Sequence, residues 1–260
     1  MPEVGTPPLE TARRLAESGD LDGAATIFAE LVADPGAPDL AQAAVGLAVV
    51  LQERGDLPGS RAAARTALAT GHPEFAAQAA CLLAGSFERE DLPDQARAAW
   101  QAALGTGNPA YVPLAHMALA RLATSAEESE RCLRDALATG DPEIASGAAQ
   151  RLAESLLEDG EAGAAAEVLL EALSVPDVAE ASRLRVMLGI VHLELACAEF
   201  SGAVEEGCDT ETGALAIELL ARTLRLRGRD EDAERVWRYG LESPDADLAG
   251  EVRLRLDRDL

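Results

Sequence analysis

The stretch Ala67-Leu68-Ala69-Thr70-Gly71-His72-Pro73-Glu74 returns 69 residues later as Ala136-Leu137-Ala138-Thr139-Gly140-Asp141-Pro142-Glu143. A third version, Ala103-Leu104-Gly105-Thr106-Gly107-Asn108-Pro109-Ala110, lies between them. Each closes an alanine-rich run with glycine and proline, the residues that stop helices most effectively. The prolines keep time beyond these stretches. Residues 73, 109, 142 and 176 are spaced by 36, 33 and 34, and 244 follows 176 by twice 34. A period of 33–36 residues points to a helical array rather than to one globular core.

Each period reads as two helices. Alanine, the strongest helix former, occurs 54 times in 260 residues, while β-branched and aromatic residues are too sparse to support strands. Leu40 to Glu53 forms one apolar-striped segment, cut by Arg54-Gly55-Asp56. Glycine suits the left-handed residue that ends a helix, Asp56 can cap the next one, and Pro58 sits near its first turn, where a missing N–H costs nothing. The same grammar appears at Ser18-Gly19-Asp20, Glu90-Asp91-Leu92-Pro93, Asp159-Gly160 and Gly228-Arg229-Asp230. Two periods lack the glycine cut: 111–143, shortened around Thr124-Ser125, and 180–211, where an inner turn is expected near Leu195.

These residues resemble the tetratricopeptide repeat family. Gly19, Ala24, Phe28 and Leu31 match the middle of its motif, as do Gly55/Ser60/Ala64/Ala67, Asp91/Ala96/Trp100/Ala103, Gly160/Ala165/Leu169/Ala172 and Gly228/Ala233/Trp237/Gly240. In the preceding helices, Leu47-Ala48/Leu51, Leu83-Ala84/Phe87, Leu152-Ala153/Leu156 and Leu220-Ala221/Leu224 fit its Leu-small and large-apolar positions. The family's first-helix Trp is Ala or Ile here, and the loops between repeats are often one or two residues longer. The resemblance covers roughly residues 9 to 247 and implies an all-α fold, a right-handed α-α superhelix (solenoid) of about seven helix pairs. The expected organisation is a disordered tail over 1–8, the array over 9–247 and a capping helix over 248–260. Stacking neighbours then supplies the core that no single pair could bury, with Trp100, Trp237, Phe28, Phe75 and Phe87 filling it.

Composition excludes several functions. All 22 basic residues are Arg, so lysine Schiff bases and P-loop chemistry are absent. A net charge of −24 opposes binding to bare nucleic acid or an anionic membrane, and 3% aromatics cannot build base-stacking platforms. The N-terminal residues lack the basic and apolar regions of a signal peptide, and no run reaches ~18 uninterrupted apolar residues. Four cysteines, Cys81, Cys132, Cys197 and Cys208, are too dispersed for a disulfide framework. The expectation is a cytoplasmic protein. His72, His116 and His192 stand in no metal motif, no nucleophile elbow or dinucleotide fingerprint occurs, and His72 reads as a turn residue like Asn108 and Asp141. Neither a cofactor, nor a metal, nor catalysis is expected.

Charge supplies the functional clue. Residues 141–220 hold 17 acidic side chains against Arg151, Arg183 and Arg185, whereas 221–240 hold six Arg against four acids. Such a field steers cationic partners, although an acidic surface also keeps an alanine-rich array soluble. The resemblance implies that first helices line a concave groove for peptides or a helix. Its register places there Arg13, Gln42, Val49, Gln52, Gln78, Cys81, Glu88, Tyr111, Leu114, Arg121, Gln150, Glu154, Glu158, Glu218, Arg222 and Arg225. The family's clamp for chaperone tails uses Lys and Asn. Lys is absent here and the sole Asn, Asn108, sits in a turn, so that role does not carry over. The reading is a non-enzymatic scaffold binding an Arg/Lys-rich segment. Two alternatives stand beside it, an accessory enzyme or small-molecule binder built on the array and a regulatory sensor module.

Overall fold

The computed structural model describes residues 7–207 and 209–259, which form fourteen helices and no strands. The chain divides into two compact units, residues 1–148 and 149–260. The first holds α1 (Pro8–Glu17), α2 (Leu21–Val32), α3 (Leu40–Glu53), α4 (Leu57–Ala69), α5 (Phe75–Arg89), α6 (Pro93–Gly105), α7 (Val112–Arg121) and α8 (Ala126–Ala138). The division falls within α9 (Pro142–Glu158). The second unit continues with α10 (Ala162–Ser174), α11 (Ala181–Glu206), α12 (Thr210–Leu226), α13 (Asp230–Leu241) and α14 (Ala246–Asp259). Helix α1 starts inside the segment expected to be a tail, whose first six residues, like Cys208 and Leu260, lie outside the described residues. The C-terminal helix starts two residues before the expected cap.

The repeated octapeptide works as a two-sided stop. Thr70, Thr106 and Thr139 each turn their hydroxyl back to the carbonyl of Ala67, Ala103 and Ala136, at 2.6–2.7 Å, closing the outgoing helix. Gly71, Gly107 and Gly140 follow with φ of +64° to +69°, the left-handed region that favours glycine. The next side chain orders the turn: His72 Nδ1, Asn108 Oδ1 and Asp141 Oδ1 each accept from backbone N–H groups two or three residues on, and Asp141, directly before α9, thereby caps it. His72 is therefore a turn residue. The inner turns follow the other grammar, with Asp20 and Asp56 accepting from the N–H of Gly23 and Gly59 at 2.9 Å. Where that grammar is missing, Ser125 caps α8 and Glu128 reaches back to the N–H of Thr124 at 2.9 Å, a capping box displaced by one residue.

Within the first unit each second helix packs on its own first helix and on the next one: α2 on α1 and α3, α4 on α3 and α5, α6 on α5 and α7. Alanine makes this possible. Ala80, Ala103 and Ala115 are fully buried where α5, α6 and α7 meet, and Ala43, Ala44, Ala48, Ala63, Ala64 and Ala67 line the seam between α3 and α4. Small side chains let helix axes approach, and Phe28 and Phe87 fill what remains. Trp100 is half-buried and Phe75 borders the same core. Ion pairs repeat as well. Arg61 and Arg97, 36 residues apart, each reach across to the following pair, Arg61 to Glu90 and the Phe87 ring, Arg97 to Glu128 and the Leu122 carbonyl.

The second unit departs from the pattern. The turn expected near Leu195 does not exist; α11 runs unbroken for 26 residues. At ~100° per residue, buried Leu184 and Val191 share one side of it, whereas buried Cys197 lies roughly 140° round from Leu184. Cys197, Phe200 and Val204 belong to the core formed with Ile217, Leu220, Leu224, Trp237 and Val252, and α10 packs on α11 as well. The buried face thus changes sides midway, which leaves Val186 and Ile190 exposed. Among the described residues α11 alone is long and apolar enough to cross a membrane. Helix α12 then pairs with α13, and α14 packs on both. The described residues form an all-α helical-repeat fold.

Candidate functional site

Four side chains assigned to the groove from sequence meet in one place. Arg13 of α1, Gln42 and Val49 of α3 and Gln78 of α5 border an open cleft of about 360 Å³ whose floor includes Phe28, Val45 and Phe75. Gly46 lets the Phe28 ring come this close, since a Cβ there would lie 2.6 Å from it. Two amides, a guanidinium and the Glu17 carboxylate thus surround an apolar floor, which suits the backbone and one or two apolar side chains of an extended segment. Gln52 lies along α3 beyond Val49 and does not border the cleft.

Farther along the same unit two of the remaining assignments, Glu88 and Arg121, are engaged with each other. Glu88 accepts from the Trp100 indole at 2.7 Å and pairs with Arg121 at 2.6 Å, beside a smaller cleft with Asp91 and Pro93. Tyr111 has its phenol pKa raised, first by partial burial and then by the charges of Cys81 and Glu74. Burial pushes the Cys81 thiol up to about 11, so it is neutral and unreactive at neutral pH. Leu114 is exposed.

In the second unit, Gln150 donates to Glu180 at 3.4 Å, and Glu154 and Glu158 are exposed one turn apart on α9. Glu218 is far less free than its position in the chain implies. It is held by Arg222 at 2.9 Å and by Arg255, which arrives from α14 at 2.9 Å. Arg222 and Arg225 are exposed, and both take part in interactions with their surroundings. No group of three or more His, Cys, Asp or Glu among the described residues is placed to hold a metal ion. His192 is exposed and Cys197 buried on another side of α11; Cys208 lies outside the described residues.

The sequence reading missed an apolar cleft of this unit, about 570 Å³ between α11, α12 and α13. Cys197, Ala198, Leu220, Leu224, Val236 and Tyr239 line it, and Glu194, Glu205, Arg229, Asp232 and Arg235 stand round it. Asp232 holds both Arg229 and Arg235, which keeps its carboxyl below the usual range. The row Asp232, Val236, Tyr239 was readable as one side of a helix. What could not be read was that α11 leaves this row uncovered.

No protein-family model matches the chain, and neither does any curated protein. Among solved structures, a tetratricopeptide repeat protein from Parabacteroides merdae ATCC 43184 is similar over 96% of this chain and 97% of its own, at 13% identity and a TM-score of 0.49. BtubC (BKLC) from P. vanneervenii is similar over 96% of this chain and 88% of its own, at 17% identity and a TM-score of 0.42.

Proposed function

We propose that this protein is a non-enzymatic interaction scaffold that holds a basic protein segment against its first helices. The observation that carries the reading is the convergence of Arg13, Gln42, Val49 and Gln78, from three successive first helices, on one open cleft. Amide side chains above an apolar floor suit a peptide backbone, which needs donors and acceptors alternately. The sign of the partner rests on charge. The stretch 141–220, with exposed Glu154 and Glu158, attracts Arg- and Lys-rich chains and raises their association rate at low salt.

The test uses the whole protein and two fluorescent dodecapeptides of equal apolar content, one Arg-rich and one Glu-rich. The Arg-rich peptide is expected to bind more tightly, with affinity falling as salt rises. Replacing Gln42 and Gln78 together by Ala should weaken it several-fold, and Glu154→Arg with Glu158→Arg should slow its association. Equal binding of both peptides, or salt-independent binding, would overturn the basic partner. Binding indifferent to the two glutamines would overturn the cleft.

A further inference from the structure

In the first unit, the space between consecutive first helices is always filled by a second helix, as α4 fills that between α3 and α5. In the second unit α11 and α12 follow each other with only Gly207 to Asp209 between them, and no second helix stands between the two. The 34-residue period has been spent on one long helix instead of a pair. Its C-terminal half leans its Cys197 face onto α12, yet Leu220 and Leu224 of α12 still line an open cleft. The cleft of about 570 Å³ bounded by α11, α12 and α13 is the remainder of that vacant position. We propose that this cleft is completed in trans by an amphipathic helix of a partner protein, which takes the place of the missing second helix.

The residues that fill equivalent positions define the partner's chemistry. Helix α6 buries Ala96, Ala99 and Ala103 and leans Trp100 on its neighbours; α13 buries Ala233, Trp237 and Gly240. Small residues three and four apart with one aromatic among them are what such a space accepts. Charge sets orientation. The α11 wall offers Glu194, already paired with Arg227, and Glu205, exposed and without an ion pair among the described residues. The α13 wall offers Arg229 and Arg235, joined through Asp232. The occupant therefore carries Arg or Lys along the edge facing α11. Its site is separate from the Gln42–Gln78 cleft and stands or falls independently of it.

The experiment presents the full-length protein with a fluorescent peptide of its own residues 93–105, a second helix carrying Arg97, Trp100 and three buried-face alanines. A scrambled version serves as control. Saturable binding of the first peptide and none of the second is expected. Ala198→Trp with Ser201→Trp, which fills the cleft from positions outside the buried core, should lower affinity at least tenfold while leaving the melting temperature unchanged. Glu205→Arg should lower it several-fold, and Gln42→Ala with Gln78→Ala should not change it. Absence of saturable binding, or binding that persists with the cleft filled, overturns the proposal. So does a wild-type dimer that the two tryptophans convert to monomer, because the occupant is then a second copy of this chain.

Discussion

The seam where α5, α6 and α7 meet makes a quantitative demand on one alanine. Ala103 is fully buried against Ala80 and Ala115, with Leu68, Leu104 and Trp100 enclosing the contact. If three helices approach this closely because each contributes only a methyl group, the site has no room for three further carbon atoms. Ala103→Leu must push α6 away from its neighbours or force strained rotamers, at a cost of roughly 1–3 kcal/mol. The upper half of that range applies, since two of the opposing side chains are alanines on backbones that cannot retract. At about 2–4 °C per kcal/mol for a unit of this size, the midpoint should fall by roughly 4–12 °C. Ala98→Leu is the control, on the exposed side of the same helix, and should stay within about 0.5 kcal/mol of the wild type. Thermal and urea denaturation followed by circular dichroism measure both. An Ala103→Leu protein as stable as Ala98→Leu would mean that the close approach of these helices does not depend on alanine, and the packing argument would fail.

The remaining predictions concern turns, titration and reactivity. Asp91 occupies, at φ +54°, the turn position that Gly19, Gly55, Gly160 and Gly228 occupy with positive φ, so in urea denaturation Asp91→Gly should raise the unfolding free energy by about 0.5 kcal/mol while Gly55→Ala should lower it by about 1 kcal/mol. Glu128 has its pKa lowered, chiefly by the Thr124 N–H and then by the Thr124 hydroxyl and Arg97. A depressed carboxyl pKa stabilises the fold above the unfolded-state value and ceases to do so as pH falls through the folded one. The wild type should therefore exceed Glu128→Gln in melting temperature at pH 7, and the two should converge in acid. With its thiol raised to about 11, Cys81 should carry about a hundredfold less thiolate than an ordinary cysteine, so iodoacetamide mapping at pH 8 by mass spectrometry should find it labelled far more slowly than after unfolding.

Fold and site were legible in the sequence to different depths. The octapeptide 67–74 could be read as a stop because glycine and proline end a helix locally, whatever the rest of the fold does. The same holds for the Asp20 and Asp56 caps. Residues 180–211 could not be read, because α11 buries one side in its first half and another in its second. Apolar residues then fall all round the helix and the 3.6-residue period cancels. A break was inferred at Leu195, close to where the buried side changes. The site shows the same limit. The register carried over from the resemblance named Arg13, Gln42, Val49 and Gln78, which border one cleft because that needs only the alignment of neighbouring pairs. It could not show that Glu218 is taken up by Arg255, a residue 37 positions later on the helix that ends the array.

This difference bears on how an array of near-identical units acquires a specific partner. Repeats bury what neighbouring repeats can reach, so a regular stretch exposes the same kind of surface at every step and distinguishes partners mainly by charge. An interruption of the period is different, because it leaves a position that no neighbour fills. In this chain the interruption is α11, and the uncovered surface beside it combines an apolar floor with walls of opposite sign, Glu205 on one side and Arg235 on the other. Affinity comes from the floor and direction from the walls. If that division holds, reversing Glu205 should change which peptides bind in the α11–α13 cleft more than how tightly the best of them binds. A charge-swapped probe with acidic residues in place of its basic edge should then regain on Glu205→Arg what the original loses. Failure of that exchange, with both probes weakened alike, would mean that Glu205 supports the fold of the cleft instead of reading its occupant.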